Sequence, residues 1–167
     1  MGRTITLTER ETEYLLRIIE SSTSILRRHQ FFLWAQGEVQ SLIPHAMLIC
    51  VFDDGSEQSI SIEKFSREHV DEAQFAELCR PGAGIIFRIL SAWSAGRNQP
   101  ILLCPQNPHR AAYRQFANDL QQGKLDRIAV HGVFDAGGRT KSLFVFTQVS
   151  SVLTERHAYF LELLMPH

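Results

Sequence analysis

The chain lacks what would staple it, anchor it or pin a metal to it. Cysteine appears three times, at Cys50, Cys79 and Cys104, and never as a CxxC pair. An odd, scattered set argues against a disulfide framework and against a zinc site. The seven histidines, His29, His45, His69, His109, His131, His157 and His167, form neither HxH nor HExxH. A metal centre is therefore not expected, and no cofactor motif is present. No stretch approaches the roughly 18 to 20 apolar residues of a membrane span, and "MGRTITLTER" has no signal-peptide core, so the expected address is cytoplasmic, with no membrane partner. Positive charge is not in excess either. Lysine and arginine number 17 against 18 acidic residues, which leaves no clustered basic face for nucleic acid. The densest basic spot, "LRRHQ", reads as a solvated helix face.

What remains is ample for a core. With 167 residues, 44% hydrophobic and 21% charged, the chain fits one globular domain spanning 1–167 and is too apolar to be disordered. "TERETEYLLRIIESS" opens with Thr8 and Glu11 at capping-box spacing. Tyr14, Leu15, Ile18 and Ile19 follow as an apolar stripe that Ser22, Ile25 and Leu26 extend. "HQFFLWAQGEVQSLIP" predicts a second helix of about three turns running through Gly37 to Pro44. "HAMLICVFDDG" and the alternating "SEQSISIEKFS" predict two strands joined by a tight turn at Asp54-Gly55, with Ile60 and Ile62 on one side.

The middle reads as helices. "VDEAQFAELC", "GAGIIFRILSAWSAG" with Ile86, Ile89, Leu90 and Trp93 on one face, and "HRAAYRQFANDLQQGK" with Ala112, Phe116 and Leu120 flank a short strand, "PILLC". "DRIAVHGVFDAGGRTKSLFVFTQVS" predicts two long strands around Gly137-Gly138. A last helix begins at Thr154, with Tyr159 and Leu163 in one row and Phe160, Leu161 and Leu164 in a second. The sum is an α+β domain, about five antiparallel strands with helices on both faces.

Candidate chemistry is sparse. "PGAGIIFR" could offer backbone N–H groups to an anion, but no lysine follows the glycines, and a plain helix start explains it better. Asp53 and Asp54 suit a turn. Cys104, before Pro105, has no identifiable base nearby and reads as a buried structural thiol. His131, in "IAVHGVFD", shares the Ala129 and Val133 side of its strand, either as a ligand contact or as a satisfied sheet histidine. No catalytic constellation emerges, and an enzyme, such as a thiol-dependent reductase, is the weakest reading.

The order of elements resembles GAF and PAS-like sensor domains, and more closely the N-terminal half of LuxR-type transcriptional regulators. "LTERETEYLLRIIESS", "RRHQFFLWAQGEVQSLIPH", "LDRIAVHGVFD", "SLFVFTQV" and "LTERHAYFLELLMPH" resemble the EpsA-type regulators associated with exopolysaccharide loci and exosortase systems. The resemblance implies that the last helix leads into a C-terminal helix-turn-helix domain outside this chain, through which alone DNA would be bound. The first and last helices also carry more apolar surface than one sheet face needs, which points to a homodimer with Ile18, Leu161 and Leu164 at the interface. A small-molecule pocket, by the same analogy, lies between sheet and helices with Phe87, Trp93, Tyr113, His131, Phe144 and Phe146 as candidates. Members of the wider family that sense acyl-homoserine lactones carry a Trp and Tyr on one helix, then Asp-Pro. Here "SAGRNQP" follows Trp93 without that Tyr, and no Asp-Pro occurs, so any ligand is expected to be something else.

Overall fold

Helix α1 (Glu9–Ser22) starts where the capping box places it. Thr8 Oγ1 accepts from the Glu11 amide, and the Glu11 carboxylate accepts from the Thr8 amide at 2.8 Å. It stops earlier than the apolar stripe suggests. Ser21, Ser22, Thr23 and Ser24 each turn a hydroxyl back onto a carbonyl of the preceding turn, competing with continuation of the helix. Leu26 lies beyond that end and is 87% exposed. Helix α2 (Arg28–Gln36) is also shorter than predicted. At Gly37 the chain swings out of the α region and resumes as a 3-10 turn, Glu38–Ser41. A Cβ at Gly37 would sit 2.5 Å from the Leu33 carbonyl oxygen, so the glycine divides what its neighbours would have joined.

The remaining elements follow in the expected order: β1 (Met47–Asp53), β2 (Ile60–Ser66), α3 (Glu72–Leu78), α4 (Ile85–Ala95), β3 (Ile101–Leu103), α5 (Ala111–Gln122), β4 (Ile128–Phe134), β5 (Thr140–Thr147) and α6 (Glu155–Leu164). The computed structural model describes residues 4–53, 60–96, 99–106, 111–123 and 125–165. The predicted Asp54-Gly55 turn, His109 and His167 fall outside them. Among the described residues, five strands form one antiparallel sheet in the order β2-β1-β5-β4-β3. Gly138, at φ +79, closes the β4–β5 turn, where the Asp135 carboxylate accepts the amides of Gly137 and Arg139. The fold is α+β, with helices on both faces of the sheet.

Strand alternation divides the core in two. Met47, Ile49 and Val51 of β1, Leu143 and Val145 of β5 and Ile128 and Val130 of β4 face α3, α4 and α5. Leu48 and Cys50, with Phe146 and Ala129, face α1, α2 and α6. Both faces being covered is why β1 and β5 read as nearly continuous apolar runs. Ile62 packs half-buried opposite Val51, whereas Ile60 at the start of the edge strand is 41% exposed.

The helical layer of α1, α2 and α6 alters the expected interface. Ile18, Leu161 and Leu164 are 1%, 0% and 3% exposed and are spent inside the domain's own core. None is available to a second copy. Three helices share a broad sheet face, which consumes the apolar rows that looked surplus in the sequence. Arg156 at the start of α6 ties the two terminal helices together. Its guanidinium holds the Glu11 carboxylate through Nε and Nη2 and donates to the Thr6 carbonyl. Glu11 is thereby kept below the usual carboxylate range, chiefly by the Thr8 amide of the capping box and further by Arg156.

Candidate functional site

The last turn of α4 places the largest buried side chain of the domain over β4. Ile85, Ile86, Ile89 and Trp93 form the inner face of α4, and Trp93 is fully buried. It can lie there because β4 offers no side chain at 132. A Cβ at Gly132 would stand 2.9 Å from the indole Cη2 and 2.3 Å from the Ser142 carbonyl oxygen. The β4–β5 register shifts between Val133 and Phe134. The Phe134 ring then stacks on Trp93 with centroids 4.4 Å apart and planes within 8°. The indole N–H donates a long hydrogen bond, 3.4 Å, to Nδ1 of His131.

His131 sits in the ladder opposite Phe144, on the strand side shared with Ala129 and Val133, as the alternation implied. Its ring still reaches Trp93, with centroids 5.8 Å apart, at a point of β4 just past Val130, where the pairing with β3 ends. An Nδ1 that accepts leaves the proton on Nε2, so the ring is neutral, and burial pushes its pKa down to about 4. Near pH 7 it is neither a general acid nor a cation. The unfolded chain therefore binds more protons than the folded one between the ordinary histidine value and about 4, and stability falls as pH falls through that window. His131→Phe should shrink the loss of melting temperature between neutral and acidic buffer by roughly 2–6 °C, with solvent screening allowed for. Thermal melts across pH measure it. His45 and His157, also lowered by burial, keep a residual slope of the same sign.

The six pocket candidates do not line one cavity. Trp93 and Tyr113 belong to the core under α3, α4 and α5. Phe144 and Phe146 lie on the opposite face, paired in register with Cys50 and Leu48, where Phe144 meets Phe31 at 6.4 Å and Phe52 at 6.5 Å. Phe87 points outward from α4 and borders an open groove with Arg88, Ser91 and Gln115. His131 alone bridges toward Trp93. Between sheet and α4 and α5 the space is filled by Trp93, Phe116, Ile86, Ile89 and Leu120, all at most 1% exposed. A smaller cleft of about 210 Å³ opens instead between α3 and the ends of β1 and β2. Met47, Phe75, Leu78 and Leu125 line it, with Ser66, His69 and Gln148 at its polar side. Gln148 is the described non-glycine residue with positive φ, at 50°.

Other candidates resolve simply. Cys104 is buried beside Gln106, burial raises the Cys50 thiol, and Cys79 at the end of α3 is pushed up to about 11. None of these two shifted thiols favours the nucleophilic thiolate. At the start of α4 the Gly84 amide is taken by the Arg80 carbonyl at 2.7 Å, and Arg80 pairs with Glu77. Among the described residues no group of three or more His, Cys, Asp or Glu could hold a metal ion, and no helix is long and apolar enough to cross a membrane. Arg28 of the basic stretch pairs with Glu63 at 2.7 Å.

Two histidines carry roles that composition does not announce. His45 anchors a buried polar knot in which its Nδ1 donates to the Ile43 carbonyl. Gln40 brackets the His45 backbone, and Gln36 donates to the Phe65 carbonyl. His157 caps α6, and its signal was in the sequence as the spacing T-E-R-H, a capping box with histidine in place of glutamate.

No protein-family model matches the chain, and no curated protein matches it. Solved structures do. The LuxR family transcription factor CepR2 of Burkholderia cenocepacia, described as dependent on N-acylhomoserine lactone, superposes with a TM-score of 0.62 at 9% identity, over 95% of this chain and 98% of that one. Escherichia coli SdiA gives 0.58 at 9% identity, over 93% and 64%. The GAF domain of a phosphoenolpyruvate-protein phosphotransferase from Coxiella burnetii gives 0.57 at 14% identity, over 93% and 88%. The chain therefore has the α+β fold common to GAF domains and LuxR-type autoinducer-binding domains.

Proposed function

We propose that this chain is the regulatory and dimerising domain of a LuxR-type transcriptional regulator, of the EpsA type tied to exopolysaccharide genes, acting in the cytoplasm. A helix-turn-helix domain following α6 would bind the DNA. The observation that carries the reading is the placement of α1 and α6 on one face of a GAF-like sheet, clasped by Arg156 and Glu11. A change in the domain is then felt by the helix from which a DNA-binding head would be hung. The near end-to-end superposition on CepR2 supports it. Since Ile18, Leu161 and Leu164 are internal, a second copy would meet the outer side of the same layer, where Leu16 and Leu33 are 57% and 65% exposed. Sedimentation at tens of micromolar tests this. The reading expects twice the 19.0 kDa chain mass, reduced to one by Leu16→Glu with Leu33→Glu in a protein that still melts cooperatively. A strictly monomeric wild type defeats it.

A sensor of some small molecule other than an acyl-homoserine lactone is the second reading. The cleft floored by Met47, Phe75 and Leu78 favours it. Its volume of about 210 Å³ is below the roughly 300 Å³ at which drug-sized pockets begin, and Trp93 already spends its N–H on His131. A ligand bound there raises the melting temperature, because it stabilises only the folded state.

A further inference from the structure

The first turn of α6 is capped by a group that changes character with one proton. The Thr154 amide donates to Nδ1 of His157 at 3.1 Å, and Nε2 of the same ring faces the Ser151 hydroxyl at 3.1 Å. Nδ1 must then be an acceptor, and Nε2 carries the hydrogen. In the usual capping box this acceptor is a glutamate or glutamine, which stays an acceptor at any pH near neutrality. Imidazole does so only while neutral. His157 is 8% exposed and edge-on to Phe160, so its ring has little room to turn away.

We infer that α6 carries a proton-sensitive N-cap: protonated His157 would turn its Nδ1–H from the Thr154 amide to the Thr154 hydroxyl oxygen, 3.3 Å away, leaving that amide without its acceptor and loosening the first turn of the helix. The surroundings work in the same direction. The charged group acting on the ring is Arg156, its neighbour on α6, whose guanidinium is in turn paired with Glu11 on α1. A cation at the positive end of a helix dipole is disfavoured, and burial, with Arg156 adding to it, lowers the pKa of His157 below the ordinary histidine value. The neutral cap is thus intact near pH 7 and fails as pH falls below that ordinary value. The device belongs to the domain itself. Its use as a signal rests on the reading above, that α6 leads to the output domain.

Amide hydrogen exchange and histidine ¹⁵N spectra of the full chain test it without invoking DNA. At neutral pH the His157 ring should show the Nε2–H tautomer. Between neutral pH and a pH well below the ordinary histidine value the amide of Thr154 and those of the first turn of α6 should lose protection about tenfold relative to the central strands, the worth of one cap. His157→Gln retains an acceptor and should hold that protection constant, while His157→Ala should lack it at both pH values. His45 and His131 titrate in all three proteins, so global acid weakening cancels in the comparison. An Nδ1–H tautomer, or the same loss of protection in His157→Gln, overturns the inference. A protected α6 cap that titrates as expected, in a protein that proves to regulate nothing, would leave the inference standing and remove only its use.

Discussion

Gly132→Ala should destabilise the domain by about 3 kcal/mol, the upper end for forcing atoms into a filled core. The added methyl meets a backbone oxygen, Ser142 O, at 2.3 Å and the Trp93 ring at 2.9 Å. Neither can swing aside, because Trp93 is clamped against Phe134 and Ser142 is held in the β5 ladder. Urea unfolding should show a lower midpoint with an unchanged slope. Gly137→Ala in the adjoining turn is the control, since its methyl would meet only Asp135 Oδ1 at 3.3 Å, and a change within about 0.5 kcal/mol is expected. Equal effects at 132 and 137 would show that the indole does not lie over β4 as described.

Trp93→Ala should cost about 3–5 kcal/mol, as for other fully buried aromatic truncations. It removes the stack on Phe134, a fully buried ring from the core under α3, α4 and α5, and the donor to His131. Trp93→Phe separates these contributions. It keeps a ring over Gly132 and drops the N–H, so most stability should survive, and since burial is what lowers His131, its titration should stay below the ordinary value in Trp93→Phe and rise toward it in Trp93→Ala. Combining Gly132→Ala with Trp93→Ala should cost less than the sum, because the ring clash vanishes and only the Ser142 contact remains. Strict additivity would place the two residues apart. A drop of under about 1 kcal/mol for Trp93→Ala would deny the site its central role.

Much of this architecture is legible in the residues, because local chemistry agrees with tertiary demand. Thr8 and Glu11 start α1 at the position their spacing requires, the alternation in "ISIEKFS" matches an edge strand, and Gly137-Gly138 marks the β4–β5 turn. What the sequence conceals are choices between faces. "SLFVF" is apolar at every position, so it cannot say that Leu143 and Val145 face α4 while Phe144 and Phe146 face α2. A shared pocket for Trp93 and Phe146, which the family analogy implies, fails on strand parity, since the two side chains lie in cores on opposite faces of the sheet. The end of α2 at Gly37 depends on a carbonyl of Leu33 one turn back, a clash that propensity values do not contain. Trp93 and His131, 38 residues apart, meet through tertiary packing that no local pattern announces. Leu161 and Leu164 are surplus to the sequence pattern of a single helix, but the sheet face shared by α1, α2 and α6 buries both.

The regulatory reading is tested most directly by the reading frame after codon 167 and the behaviour of its product. It predicts about 60 to 70 further codons encoding a helix-turn-helix, and a full-length protein that binds DNA as a dimer and lets go when Leu16 and Leu33 become glutamates. A stop codon directly after His167, or a continuation that binds DNA as well in the monomeric variant as in wild type, would contradict it.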